Sequence, residues 1–160
     1  MRIALIMLAA GNSRRFGGNK LLYEIDGNPM YRYILERLIA VAGAGGQGKE
    51  VSSCVLETGS LKNIKQEMTV TVVTQYEEIE EEARALGVPV YINPHPDEGI
   101  SSSLKIGLKA NLDAHACLFT VSDQPWLTAG TIRQLITLLE TTGKGIACVS
   151  SEGRLGNPCI

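Results

Sequence analysis

Three glycines and three cations fall within thirteen residues near the start of the chain, Leu8-Ala-Ala-Gly-Asn-Ser-Arg-Arg-Phe-Gly-Gly-Asn-Lys20, directly after an apolar run over 3–7. A strand that feeds a glycine turn and then a helix start leaves backbone N–H groups unpaired. Their dipoles converge where an anion binds. Arg14, Arg15 and Lys20 add full positive charges, so these residue types in this order predict a cradle for a triphosphate. Gly11 lets the backbone approach the ligand or take a positive φ, and Gly17-Gly18 turn the chain so that Lys20 folds back over the site. Spacing excludes two other phosphate motifs. A P-loop needs Gly-x4-Gly-Lys-Ser/Thr, but five residues separate Gly11 from Gly17 and Lys20 precedes Leu21. The Gly-x-Gly-x-x-Gly of dinucleotide-binding folds is not found either.

Leu8, Ala9, Ala10, Gly11, Ser13, Arg15, Phe16, Gly17 and Lys20 together resemble the signature loop of nucleotidyltransferases, which move a nucleoside monophosphate from an NTP onto a phosphate. Such a reaction needs three things: neutralisation of the triphosphate, a cation that stays on the α-phosphate as it becomes five-coordinate, and a metal that stabilises departing pyrophosphate. Arg15 suits a paired-donor clamp on the β- and γ-oxygens, and Lys20 suits a mobile point charge on the α-phosphate. Asp123, after the apolar run 116–121, is the candidate ligand for Mg²⁺ or Mn²⁺; its alternative role is to cap the following turn. Mg²⁺ typically takes one or two protein carboxylates and fills its shell with phosphate and water. No protein nucleophile is required, because the acceptor brings its own phosphate. Lys20, Arg15 and Asp123 are therefore the candidate catalytic residues, with Leu8, Ala9, Ala10, Gly11, Asn12, Ser13 and Arg14 around the nucleotide.

The elements that must hold these residues read as alternating strands and helices. After the strand over 3–7, Asp26-Gly27 marks a turn, and Asn28-Pro29 cap and open a helix over about 30–42, whose Tyr31, Ile34, Leu35, Leu38 and Val41 form one apolar face. A glycine-rich connector is expected over 43–48. Residues 51–58 are a weak strand candidate and 60–66 a possible helical turn. A strand over 70–74 leads to a helix over 77–86, whose acidic run 77–82 reads as a solvated face with a Glu80–Arg84 pair. Gly87 stops that helix and a strand over 90–92 follows. Gly99-Ile-Ser-Ser-Ser then opens a helix to about 112 with Leu104 and Leu108 facing inward. After 116–121 the chain breaks at Ser122-Asp-Gln-Pro, and Thr128 caps a helix to about 140 carrying Ile132, Leu135, Ile136 and Leu139 inward. The last strand is expected over 146–150 and the last loop over 153–158.

This alternation predicts a single domain over 1–160: an α/β fold with a doubly wound, mostly parallel sheet and helices on both faces. Ligands in such sheets bind at the carboxyl ends of the strands. The loops 9–20, 93–103, 122–125 and 153–158 all carry unusual polar or glycine chemistry, the pattern of one shared site. Asn93, Ser101 and Ser102 are candidates for the ribose or base edge. Asn93 is alternatively a turn former before Pro94, and at least one of the serines a helix cap. Trp126 either walls the pocket or packs under the following helix. His95 and His115 read as solvated loop positions.

A net charge of −2 with only three clustered cations argues against a nucleic-acid surface. No apolar run reaches the roughly 20 residues of a membrane span, and the start of the chain reads as a buried strand, not a signal peptide. Cys54, Cys117, Cys148 and Cys159 lack zinc-ligand spacing and are expected reduced and mostly buried, in a cytoplasmic protein.

A narrower resemblance joins several motifs. The loop 8–20, Asn93-Pro94 with Gly99-x-Ser-x-Ser-Leu104, Ser122-Asp-Gln-Pro125 and Gly156-x-Pro158 together look like the molybdopterin cytidylyltransferases and their relatives, which mature molybdenum hydroxylases. The order of motifs matches across nearly the whole chain, least over 40–65. The resemblance implies that CTP and the pterin phosphate of molybdenum cofactor react to give the cytosine dinucleotide and pyrophosphate. It also implies an apo molybdenum hydroxylase as partner, and acceptor contacts from Gln124, Pro125, Gly156, Asn157 and Pro158. Leu-Ala-Ala-Gly favours cytosine, whereas guanylyl-transferring relatives usually carry Leu-Ala-Gly-Gly. Gly156-Asn157-Pro158 departs from the more usual Gly-His-Pro. Such relatives continue for several more elements, so the sequence predicts a truncated sheet whose segment 146–160 either self-associates or is poorly ordered. A sugar-phosphate nucleotidyltransferase and a non-catalytic cofactor-delivery protein are the alternative functions.

Overall fold

A computed structural model describes residues 1–12, 18–46 and 66–160. In chain order its elements are β1 (Arg2–Ala9), a 3₁₀ turn (Lys20–Leu22), β2 (Glu24–Ile25), β3 (Asn28–Pro29), α1 (Met30–Gly46), β4 (Glu67–Thr74), α2 (Glu77–Ala85) and β5 (Val90–Ile92). A second 3₁₀ turn (Pro96–Glu98), α3 (Ile100–Lys109), β6 (Ala116–Val121), α4 (Ala129–Thr142), β7 (Cys148–Ser151) and β8 (Arg154–Cys159) complete it. Among the described residues the main sheet has six strands in the order β5-β4-β1-β6-β8-β7. The first four run parallel, and β8 and β7 are antiparallel additions at one side. This is the expected mostly parallel α/β sheet.

β1 sits at the centre of that parallel block, and its residues 3–7 are fully buried. Alternate side chains point to opposite faces, and each face has its own core. Ile3, Leu5 and Met7 pack with residues of α1, α2 and α4, while Ala4, Ile6 and Leu8 pack beneath α3. Helices therefore cover both faces. On the α3 side the contact is made by small residues: Ser102, Ser103 and Gly107 are the buried positions of that helix, whereas Leu108 is about half exposed. The inward Leu108 expected from periodicity is thus corrected. A Cβ at Gly107 would lie 2.8 Å from Ile6 Cγ2, so glycine lets α3 approach the sheet more closely than leucine packing would allow.

Several boundaries also move. Asp26 and Gly27 both have positive φ, which makes the turn of a β2–β3 hairpin, so Asn28 and Pro29 are strand residues and α1 begins at Met30. Helix α1 runs through the expected connector as far as Gly46, where the alanines at 40, 42 and 44 offset the poor helix propensity of glycine. β4 starts at Glu67, earlier than 70. The readings over 51–58 and most of 60–66 lie outside the described residues. Glu82 is not simply solvated, because Tyr31 and Arg32 of α1 both hydrogen-bond to it and tie α1 to α2. Burial and that bond push the Tyr31 phenol far above its ordinary range.

The largest correction concerns the end of the chain. Residues 153–158 are not a loop after the last strand. They enter β8, which inserts between β6 and β7, with Cys159 opposite Phe119. Ile146 lies outside any strand and is exposed. Residues 148–151 and 154–159 are therefore strands of the main sheet. Trp126 is exposed as well and neither packs under α4 nor walls the cavity described next.

Candidate active site

The site is built from the bottom of β1 upward. Ser122 donates from both its backbone N–H and its hydroxyl to the Leu8 carbonyl, at 3.1 and 3.0 Å, which fixes the end of β6 against the end of β1. On the other side Thr74 Oγ donates to the Ala9 carbonyl at 3.0 Å. The chain beyond Ala9 is then held by the two residues that follow β4. Gln75 Nε2 donates to the Ala10 carbonyl at 2.8 Å and to Asn12 Oδ1 at 2.7 Å, and the Tyr76 hydroxyl donates to the Gly11 carbonyl at 2.6 Å. Burial, with Glu78 adding to it, raises the Tyr76 phenol above its ordinary range, so it remains a protonated donor.

Above this floor lies a cavity of about 710 Å³ at the carboxyl edge of the parallel strands. Of the residues picked out from the sequence, Leu8, Ala10, Gly11, Asn12, Lys20 and Asp123 line it. Ser103, Ser122, Asp97 and Ile100 join them. Lys20 sits in the first 3₁₀ turn, whose start is capped by Asn19 Oδ1 accepting from the Leu21 N–H at 3.0 Å. From there Lys20 Nζ reaches Asp123 Oδ2 at 3.1 Å. Asn12 Nδ2 donates to Asp97 Oδ1 at 2.7 Å, which ties the first loop to the loop after β5. Three of the four expected loops thus share one cavity.

The other candidates are placed elsewhere. Ser13, Arg14 and Arg15 lie outside the described residues. Ala9 is buried in β1. Asn93 is buried at 2% exposure; its Nδ2 donates to Ser102 Oγ and Ser103 Oγ, both at 2.8 Å, and its Oδ1 accepts from the His95 N–H. Asn93 and Ser102 therefore organise the turn into α3, the alternative read for Asn93 from the sequence. Ser101 is exposed and donates to the Glu98 carbonyl. Gln124, Pro125, Gly156, Asn157 and Pro158 do not line the cavity. Arg37 holds the turn at 122–125 by donating to the Pro125 carbonyl. In β8, Asn157 and Pro158 are inserted between the pairs Cys148–Cys159 and Val149–Gly156, and the strand runs back from Cys159 toward the carboxyl end of β6. His115 is not merely solvated, since its Nδ1 accepts from the Arg2 N–H at 3.1 Å.

Sequence reasoning missed Gln75, Tyr76 and Asp97. Gln75 and Tyr76 directly follow a strand read correctly, so their position at the same sheet edge was the available signal. Asp97 lies within a loop already singled out, but as a carboxylate between Pro96 and Glu98 it carries no spacing motif.

A family model for the MobA-like NTP transferase domain matches residues 5–160. The chain belongs to that family. Among relatives, a stretch of 57 residues is 37% identical to a probable molybdenum cofactor guanylyltransferase of Thermococcus sibiricus, covering 36% of this chain and 26% of that protein. A 32-residue stretch is 56% identical to one of Thermococcus gammatolerans, covering 20% of this chain and 17% of that one. Among solved structures, a CMP:2-keto-3-deoxy-manno-octonic acid synthetase complexed with CTP superposes with a TM-score of 0.62 at 18% identity, over 89% of this chain and 49% of that one. Rv0371c of Mycobacterium tuberculosis H37Rv does so with a TM-score of 0.61 at 20% identity, over 98% and 69%. These likenesses show the fold of this MobA-like chain. It spans about half of the synthetase, and the matched stretches are 17% and 26% of the two curated relatives.

As for a metal, Asp123 and Asp97 each bring a carboxylate to the lining of the cavity. That donor set fits a hard cation such as Mg²⁺, which needs one or two carboxylates and accepts phosphate for the rest. Among the described residues no group of three His, Cys, Asp or Glu forms a cage of protein ligands alone.

Proposed function

We propose that this chain transfers the nucleoside monophosphate of an NTP, with CTP preferred, to the phosphate of a molybdopterin-type pterin and releases pyrophosphate. One observation carries the reading: Lys20 and Asp123 face one another at 3.1 Å in a cavity whose rim is the glycine turn after β1. A triphosphate laid on that turn brings its charge to Lys20, whose ammonium then follows the α-phosphate as the acceptor oxygen adds and pyrophosphate leaves. Arg15 holds the β- and γ-oxygens. Asp123, relieved of Lys20, would hold Mg²⁺, which when bound would supply neutralising charge to the departing pyrophosphate. The acceptor phosphate provides the nucleophile, so the protein's work is orientation and charge.

The preference for CTP rests on Ala10, which is 5% exposed and lines the cavity. On this reading its methyl group takes room at the base that a purine would require. The curated relatives, named as probable guanylyltransferases, favour a second reading with GTP. On this reading the acceptor lies toward the turn at 122–125 and the bulge at Asn157-Pro158. Gln124 Oε1 is buried without a hydrogen-bond partner among the described residues, a cost of about 1–3 kcal/mol that an arriving donor removes. The apo hydroxylase that takes up the product is the proposed protein partner.

The test is to incubate the protein with Mg²⁺, the pterin phosphate and each of CTP, GTP, ATP and UTP in turn, and to measure pyrophosphate. Release greatest with CTP supports the reading. Release greatest with GTP moves the protein to the guanylyl branch, and none with any NTP leaves a delivery role.

A further inference from the structure

Ala147 and Ile160 exchange both backbone hydrogen bonds, at 2.9 and 2.8 Å, where the chain ends beside β7. In an antiparallel ladder such pairs alternate with pairs that share no hydrogen bond and stand closer together, with Cα atoms about 4.5 Å apart. The next pair is Cys148 opposite Cys159. A disulfide accepts Cα separations of about 4.4–6.8 Å, so this pair meets the requirement without backbone movement. Both cysteines are free thiols of intermediate exposure.

The bond would not be silent. Cys159 Sγ donates to Asn157 Oδ1 at 3.9 Å, and Asn157 is one of the two residues inserted where the β7–β8 register shifts. A disulfide has no S–H, so closing it removes the donor that steadies Asn157. We propose that Cys148 and Cys159 form a reversible oxidative modification site, a cross-strand dithiol–disulfide pair that loosens the Asn157-Pro158 bulge when oxidised.

The oxidant is a peroxide or a small-molecule disulfide. With hydrogen peroxide, one thiolate attacks oxygen and breaks the O–O bond, giving a sulfenic acid and water. The second thiol then displaces the sulfenic oxygen as water and forms the S–S bond. Two electrons pass from sulfur to peroxide, and two waters leave. Burial, with Cys148 adding to it, raises the Cys159 thiol, and only a thiolate attacks, so oxidation quickens as pH rises.

The test uses the whole chain, first unaltered and then with Cys54→Ser and Cys117→Ser, so that the pair holds the remaining thiols. The protein is treated with hydrogen peroxide or oxidised glutathione in mildly alkaline buffer, digested and mapped by mass spectrometry. The expected result is an intrachain peptide joining Cys148 to Cys159, with two hydrogens lost, alkylation lost at both and restored by dithiothreitol. Faster amide exchange over 154–159 in the oxidised form is expected with it. Cysteines that stay alkylatable, or that go to sulfinic acid or intermolecular bonds instead, overturn the pair; unchanged exchange overturns its link to the bulge. No substrate enters this test, so its outcome is independent of the transfer reaction.

Discussion

Lys20 Nζ lies 3.1 Å from Asp123 Oδ2 although the two stand 103 positions apart in the chain. Their side chains are 38% and 44% exposed, and a pair so hydrated is worth only about 0–1 kcal/mol to folding. Stability is therefore a poor reason for the pair. Its effect is to hold a mobile cation and a hard anion together in the cavity, where the proposed triphosphate would meet both.

Lys20→Ala should lower turnover by about 10²–10³-fold, the scale for loss of one charge-stabilising donor, while nucleotide affinity changes far less. The ammonium matters most when the α-phosphate is five-coordinate, which affects the transition state and not the bound ground state. Steady-state kinetics beside equilibrium nucleotide binding separates the two. Turnover within about threefold of wild type removes Lys20 from the chemistry.

Asp123→Asn should change the metal response. The amide keeps the shape but loses the charge that a hard cation seeks, so the reaction should need much more Mg²⁺ and bind Mg·CTP more weakly. An unaltered Mg²⁺ titration places the metal elsewhere.

Gly107→Ala tests how α3 is seated. The new methyl carbon would lie 2.8 Å from Ile6 Cγ2 and 3.5 Å from Val73 Cγ2, against the centre of the sheet. Overpacking of this kind costs about 1–3 kcal/mol and should lower the thermal midpoint by several degrees. An unchanged midpoint means that α3 shifts freely and that its close approach is incidental.

Tyr76→Phe removes the donor to the Gly11 carbonyl and leaves the ring. One neutral hydrogen bond is worth about 1 kcal/mol, so CTP binding should weaken by roughly fivefold. Turnover at saturating CTP should hold. A fall in turnover with affinity intact would show that the brace acts on the chemistry instead.

Much of this arrangement was legible in the sequence. Residues 3–7 announced the central strand because continuous apolar runs suit a strand buried on both faces, and Asp123 stood out as a carboxylate at the end of such a strand. The misreadings share a cause: tertiary partners overrode local signals. Asn28-Pro29 look like a helix start but complete a hairpin set by the positive φ of Asp26 and Gly27. Leu108 has helical spacing for burial, yet the buried positions of α3 are Ser102, Ser103 and Gly107, with Leu104 and Ile106 partly buried against the sheet. Residues 154–159 carry turn-like Gly, Asn and Pro, and only their pairing with β6 and β7 makes them a strand. Asn93 was legible as chemistry, but no local pattern showed that its amide is taken up by two serines and a backbone N–H.

The most direct measurement follows the phosphorus. With CTP labelled at the α-phosphate, Mg²⁺ and the pterin phosphate, the account predicts that the label moves into a pterin dinucleotide while unlabelled pyrophosphate is released in equal amount, and that Lys20→Ala slows both by the same large factor. Label recovered as free CMP, or retained in CTP while the pterin is merely bound, would contradict it.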